Sequence, residues 1–336
     1  MLVVSKLEAL RKHGTRLVAL TLSVVAAGTF AAQGGCASIA VAVAPDKVAA
    51  PDETEEFRVA ESAFWTALHG GHYENIGPTL ELYQRAYLKN PNAPLTAARI
   101  GWLHTWRLSE RSRMESPPAT ITDDIVLARK YFGEAVHLAP KESRFLGFYA
   151  SLTMAEGAVH KDEAITRKGY FTMNDAISAW PEFNLFTAGI SVANLPAGNE
   201  LFQEGLDRQW ENLDVCVDGK LDRADGHFAK YMPLETHEGK NRACWDSWHA
   251  PHNLSGFFLH MGDMLVKKGD VAKARVVYEN AKLPKSYGTW KLRDVLEDRI
   301  AHAQNYVEDF RKTDPKGKEK RPFWNSTFGC TGCHAD

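Results

Sequence analysis

The stretch that decides the fold is residues 257–281, which read FFLHMGDMLVKKGDVAKARVVYENA. Apolar residues recur in it at spacings of three and four, which is the period of an amphipathic helix. Gly262, Ala274 and Ala281 are small enough to let two helices approach closely, and Tyr278 would fill the gap between them. The stretch therefore predicts two helices that pack against each other.

The second half of this pattern recurs upstream, and the same helical period extends over residues 58–311 without the alternation of a strand. Proline punctuates the copies, because it lacks an amide donor and restricts the residue before it. Residues 109–123 interrupt one pair as a long insertion. The copies are Tyr83, Ala86 and Pro91; Ala128, Phe132, Ala135 and Pro140; and, as a weaker match, Ala176 and Pro181.

These residues resemble the tetratricopeptide repeat. The glycines and the second helix of that repeat match, whereas the closing proline departs from the pattern, because Pro284 comes early. The resemblance implies an all-α protein, a tetratricopeptide-like α-solenoid of helical hairpins, whose concave surface binds a partner. The residues that carry it within 257–281 are Gly262, Gly269, Ala274, Tyr278 and Ala281.

Composition and net charge do not identify the function, which must therefore be inferred from local sequence features. The chain has 336 residues, of which 44% are hydrophobic, and its formal net charge is -2. These values are ordinary for a globular protein. A nearly neutral chain has no overall field that recruits nucleic acid or acidic lipid, so we expect no nucleic-acid partner.

The N-terminus has the organisation of a secretory signal peptide. Four basic side chains precede residues 17–32, an uncharged and mostly apolar run that is short for a membrane-spanning helix. We therefore predict a signal peptide over residues 1–36, a flexible linker over residues 37–57 and a periplasmic location.

The end of the predicted signal leaves two outcomes open. Residues 34–36 read GGC and resemble the end of a lipoprotein signal, in which Cys36 is lipidated. Gln33 departs from that pattern, which has an aliphatic residue at this position. Lipidation would make an outer-membrane lipoprotein that touches the membrane only through its lipid anchor, whereas cleavage near Ala31 or Ala40 would release the protein.

An oxidising compartment allows the cysteines to be assigned. Cys36 is either the lipid anchor or is lost with the signal, and two further cysteines lie in the C-terminal tail. The remaining pair, Cys216 and Cys244, predicts a disulfide. The alternative is two separate buried cysteines.

The C-terminal tail carries the sequence Cys330-Thr331-Gly332-Cys333-His334. Two thiols separated by two residues can add to the two vinyl groups of one haem, and the histidine after the second thiol can then ligate the iron. The motif resembles the attachment site of c-type cytochromes, and the resemblance covers this motif alone. It implies one covalent haem c on Cys330 and Cys333, with His334 as the proximal ligand.

Two other interpretations of the tail motif remain. Zinc could use the two cysteines and the histidine, but a structural zinc site needs a fourth ligand, and none is close in sequence. A dithiol or disulfide redox motif usually lies at the start of a helix in a strand-helix unit, which the pattern here does not indicate. We therefore interpret residues 312–336 as a basic linker followed by a haem attachment tail.

The sequence leaves the second axial ligand undecided. Residues 244–252 read CWDSWHAPH, which places His249 and His252 among aromatic residues beside the predicted disulfide. Met264 and His302 are further candidates, and an open, five-coordinate iron is also allowed.

We therefore expect an exported monohaem protein that transfers electrons to or from a redox partner bound by the helical scaffold. One alternative is a periplasmic scaffold or assembly module that binds another exported protein and has a structural haem. Another is a haem sensor or enzyme with an open iron site. No acid/base constellation supports an enzyme, so an electron carrier or a binding scaffold is favoured.

Overall fold

The computed structural model describes residues 46–312, 322–323 and 326–336. The predicted signal peptide, the lipidation candidate Cys36 and residues 37–45 of the predicted linker lie outside the described residues, as does nearly all of the basic linker at 312–321. Helical structure begins at Glu55 and continues to Arg311, close to the predicted range 58–311.

Helices follow one another along the described chain. The α-helices are α1 (Glu55–Gly70), α2 (Ile76–Lys89), α3 (Pro94–Ser109), α4 (Asp123–Leu138), α5 (Ser143–His160), α6 (Glu163–Ala179), α7 (Pro181–Val192), α8 (Glu200–Cys216), α9 (Asn253–Lys268), α10 (Val271–Asn280), α11 (Arg293–Arg311) and α12 (Thr331–His334). Short 3₁₀ turns lie at Tyr73–Asn75, Arg111–Arg113, Ala119–Thr122, Ala229–Leu234, Asn241–Cys244 and Lys285–Thr289. The described ranges contain one isolated β-bridge, between Ser247 and Ala250, and no strand.

Each helix packs against its neighbours along the chain. The pairs are α1 with α2, α3 with α4, α5 with α6, α7 with α8 and α9 with α10, and further contacts join one pair to the next. Helix α11 packs on both α9 and α10. A stack in which each helical pair contacts the next is a solenoid, so the predicted all-α helical-repeat fold is confirmed.

The predicted packing of an aromatic ring against glycine occurs in two of the pairs. A Cβ added to Gly262 of α9 would collide with the ring of Tyr278 on α10. A Cβ added to Gly101 of α3 would likewise collide with the ring of Phe132 on α4. Both rings are fully buried, so the missing side chain sets the distance between the helices of a pair.

Local sequence explains several helix boundaries. The Thr54 hydroxyl accepts from the backbone N–H of Phe57 at 3.1 Å and caps the start of α1. Gly71 and Gly269 follow the ends of α1 and α9 with φ of 69° and 102°, a conformation that favours glycine. Pro181 follows α6 as expected, and it also forms the first position of α7, where no amide donor is needed.

The predicted disulfide between Cys216 and Cys244 is present. Cys216 is the last residue of α8, and Cys244 ends the 3₁₀ turn before residues 245–252. Both cysteines are buried, with Cα atoms 5.8 Å apart. The bond thereby fixes the start of the loop that leads into α9.

Replacing both cysteines with serine should lower the free energy of unfolding by about 3.5 kcal/mol, because the bond restricts a loop of this length in the unfolded chain. Denaturant titration of the parent and of Cys216→Ser/Cys244→Ser, each with and without a reductant, measures the effect. The reductant should destabilise the parent and leave the double variant unchanged. A parent whose stability does not respond to complete reduction would contradict this account.

Candidate functional site: a cavity beside the C-terminal tail

The C-terminal tail lies between the two ends of the solenoid. Its short helix α12 packs on α9 and on α1, and the backbone N–H of Asp336 donates to the carbonyl of His69 on α1 at 2.9 Å. Cys333 belongs to the hydrophobic cluster of the C-terminal helices, whereas Cys330 packs against the cluster formed by α1, α2 and α3. The tail therefore bridges the first helix of the stack and α9.

A buried carboxylate holds the start of α12. Glu110 directly follows α3, and it is 0% exposed. Its Oε1 accepts from the backbone N–H groups of Cys330 at 2.8 Å and Thr331 at 2.7 Å, and from the Thr331 hydroxyl at 2.9 Å. Its Oε2 pairs with Arg113 at 3.0 Å. Glu110 thus satisfies amides at the start of α12 that have no helical acceptor.

Two backbone carbonyls and one glycine fix the remainder of the motif. The indole N–H of Trp290 donates to the carbonyl of Gly332 at 2.8 Å. The backbone N–H of His252 donates to the carbonyl of Cys333 at 3.0 Å. Gly256 of α9 lies against the Cys333 sulfur, which would collide with any Cβ at that position. The tail therefore docks against the loop before α9, the first turn of α9 and the indole of Trp290.

The imidazole of His334 is held through one nitrogen. Its Nδ1 lies 2.6 Å from the backbone carbonyl of His249. A carbonyl oxygen can only accept, so Nδ1 carries the proton and Nε2 keeps its lone pair. Burial lowers the pKa of His334 to about 4, against the opposite effect of this hydrogen bond. A neutral imidazole with a fixed tautomer is the form that ligates a metal.

A cavity of about 260 Å³ lies beside the tail, and Cys330, Cys333 and His334 line it. The first helix of each pair contributes to its walls, namely α1, α3, α5, α7 and α9, together with α8 and the loop before α9. Most of the lining side chains are apolar. The aromatic ones include Phe64, Trp65, Trp102, Trp106, Phe148 and Phe186.

Three arginines also line the cavity. Arg99 is largely buried and bonds to the carboxylate of Glu61, with Nε at 2.9 Å from Oε2. Arg144 pairs with Glu142 at 2.7 Å, and its side chain is 37% exposed. Arg242 is exposed and has no acidic partner within salt-bridge distance in the described chain. Arg242 therefore puts uncompensated positive charge where the cavity meets solvent, which suits a carboxylate.

Several polar atoms of the cavity walls are buried without a hydrogen-bond partner among the described residues. They are Nε1 of Trp106, Nε1 of Trp245 and Oε2 of Glu182. Buried polar atoms in folded proteins are normally paired. Two buried donors and one buried acceptor in the wall residues therefore lack a partner within the described protein.

The candidate second ligands lie in different places. His249 lines the cavity, at its exposed side. His252 is buried under the tail, and Met264 is buried in the core of α9, so neither lines the cavity. His302 lies on the exposed face of α11, with Nδ1 3.0 Å from the Asp298 carboxylate. Of these four residues, the structure brings only His249 to the cavity.

The tail cysteines do not have the surroundings of a reactive dithiol. They are not bonded to each other, and burial raises the pKa of both thiols. A reactive cysteine needs the opposite shift. The described residues also hold no group of three His, Cys, Asp or Glu side chains placed to share a metal ion, which is the arrangement that zinc would require.

Sequence reasoning did not single out Glu110 or the three arginines. Glu110 is 220 residues from the amide that it binds, and no local pattern marks it. Arg99 does carry a signal, because it is a charged residue inside the apolar run LTAARIGWL at 95–103. Arg144 and Arg242 lie in ordinary polar surroundings and could not be found in this way.

Replacing Glu110 with alanine should release the tail from the stack. The change leaves the Cys330 amide and both Thr331 donors without an acceptor, and each unpaired buried donor costs roughly 1–3 kcal/mol. Hydrogen exchange followed by mass spectrometry should show faster exchange in the peptide that contains residues 326–336, and the chain should unfold at lower denaturant.

The exposed residue Glu115 provides the matched control for this prediction. Glu115→Ala removes the same charge from the same segment and should leave exchange in the tail unchanged. Glu110→Gln should lie between the parent and Glu110→Ala, because an amide oxygen still accepts. Unaltered tail protection in Glu110→Ala would show that this carboxylate does not hold the tail.

The described helices include none that combines the length and apolar composition needed to cross a bilayer. No protein-family model matches this chain, and comparisons with curated proteins and with solved structures found no match either.

Proposed function

We propose that this chain is an exported monohaem protein of the c type, in which a tetratricopeptide-like solenoid holds one covalent haem and exchanges electrons with a partner protein. Cys330 and Cys333 form thioether bonds to the haem, and His334 ligates the iron through Nε2. Export is supported by the signal-like N-terminus and by the disulfide between Cys216 and Cys244, a bond typical of oxidising compartments.

The observation that carries this proposal is that Cys330, Cys333 and His334 line a single, largely apolar cavity. The attachment chemistry uses these three side chains together, at this spacing and in this order. A haem also has two broad apolar faces, and leaving apolar surface in water costs roughly 25 cal/mol per Å². The aromatic walls beside the motif are suited to covering such faces.

The remaining polar groups fit the same cofactor. A haem carries two propionate carboxylates, and Arg144 and Arg242 offer guanidinium groups at the solvent side of the cavity. The carbonyl of His249 holds His334 in the tautomer that ligates through Nε2. Metal-ligating histidines in proteins commonly have such a partner at the other ring nitrogen.

The haem, when bound, supplies a one-electron redox couple. The aromatic walls of the chain would cover the apolar faces of the haem, and the carbonyl of His249 orients the imidazole of His334. Trp248 is 63% exposed, and its ring lies 4.8 Å from the ring of Trp65, which lines the cavity. An exposed tryptophan beside the cavity is a suitable contact for a redox partner.

A second candidate function is a scaffold in which the haem is structural. The tail that carries the motif joins the hydrophobic clusters of the two ends of the solenoid. A haem bonded there would add apolar contacts to both clusters and stabilise the stack. This scaffold would bind another exported protein along its helices.

The Cys330→Ala/Cys333→Ala variant should contain no covalent haem when it is exported in a host with haem attachment machinery. Haem staining on a denaturing gel and a pyridine haemochrome spectrum of the parent should both be positive, with one haem per chain. Both signals should vanish in the variant, because neither thioether can form.

Cys216→Ser/Cys244→Ser is the matched control, since it removes the same number of cysteines from positions that also line the cavity. It should keep its covalent haem. A parent without haem, or equal staining of parent and Cys330→Ala/Cys333→Ala, would refute the proposal. Circular dichroism of each variant separates loss of haem from loss of helical structure.

A further inference from the structure

We infer that this chain supplies a single axial ligand, His334, and leaves the opposite coordination position of its haem open to a small diatomic ligand. The inference rests on the proposed function, because it requires a haem on Cys330 and Cys333. It adds a ligand class to that proposal, since a carrier with two protein ligands has no free position for a diatomic molecule.

The position of His249 makes it a support for His334 and not a second ligand. Its backbone carbonyl meets His334 at Nδ1, 2.6 Å away. A histidine ligates through one ring nitrogen while the other turns away from the metal. For a haem held through Nε2 of His334, the backbone of His249 would therefore stand behind that imidazole, away from the iron. The side chain of His249 would start from that position, which places it poorly for a second ligand.

No further nitrogen or thioether ligand lines the cavity within the described ranges. His249 and His334 provide the only imidazoles there, and no methionine contributes. The lining sulfurs of Cys216 and Cys244 are joined in the disulfide. Those of Cys330 and Cys333 are used by the thioether bonds of the proposed attachment. Among the described residues that line the cavity, His334 is thus the one strong ligand placed for the proposed iron.

Three residues of the cavity wall also have a buried polar atom without a protein partner among the described residues. Trp106 and Trp245 each have an unpaired, buried indole N–H among the described residues. Glu182 of α7 has an unpaired carboxylate oxygen, and its backbone carbonyl accepts from the side chain of Asn212 on α8 at 2.8 Å. Hydrogen-bond donors and polarity near an open position decide how a haem treats a diatomic ligand.

Absorption and electron paramagnetic resonance spectra of the haem-loaded full chain, with carbon monoxide as the probe, test the inference. We expect a high-spin ferric haem, a five-coordinate ferrous haem and stoichiometric uptake of carbon monoxide. His249→Ala should retain all three properties, because the backbone carbonyl of residue 249 that accepts from His334 remains in the variant. A six-coordinate, low-spin ferrous parent that takes up no carbon monoxide would overturn the inference.

The failure of this inference differs from failure of the proposed function. A full haem complement in the pyridine haemochrome assay with a low-spin spectrum overturns only the open position. A chain without covalent haem overturns the proposed function itself. Conversion of a low-spin parent to high spin in His249→Ala would identify His249 as the second ligand, which also contradicts the inference.

The C–O stretching frequency of the carbon monoxide complex tests the polar walls separately. Trp245→Phe and Glu182→Gln should each shift this frequency, because they alter a hydrogen-bonding group of the cavity while haem content stays the same. Trp248→Phe is the matched control, since its indole is exposed and does not line the cavity. Identical frequencies in all three variants would exclude these groups from the diatomic site.

Discussion

The position of the whole site depends on one buried carboxylate. Glu110 accepts three hydrogen bonds from Cys330 and Thr331, and Arg113 balances its charge. A carboxylate removed from water is costly unless it is paired, and the amides that it binds would be costly without it. These hydrogen bonds hold the tail beside α3, although Glu110 and Cys330 are 220 residues apart in the sequence. The contacts of His334 and of both motif cysteines follow from that anchor.

The repeat architecture explains why the tail has a cavity beside it. Glycine contacts such as Gly262 with Tyr278 set close spacing within the helical pairs. The first helix of each pair contributes side chains to the wall of the cavity, and so does the disulfide-bonded loop before α9. The tail completes this enclosure by contacting α1 and α9 together. A single short segment thereby connects the fold to the proposed cofactor chemistry.

Sequence patterns predicted the features that depend on residues close together in the sequence. Helical period and small residues predicted the stacked pairs, and cysteine counting predicted the bond between Cys216 and Cys244. The aromatic loop at residues 245–252 also proved to be where the tail docks, through the carbonyl of His249 and the amide of His252. The anchor Glu110 and the cavity itself were not predictable, because both arise from contacts between distant segments. For the same reason the sequence could not rank the candidate second ligands, of which only His249 reaches the cavity.

The central claim is that the cavity beside the tail is a haem site whose iron is ligated by His334. A crystal structure of the exported, haem-loaded chain, with diffraction recorded on both sides of the iron absorption edge, locates the metal directly. We expect one anomalous peak inside the cavity, at bonding distance from Nε2 of His334, with Glu110 still holding the tail. An iron peak outside the cavity, or a haem on a tail detached from the stack, would contradict the account.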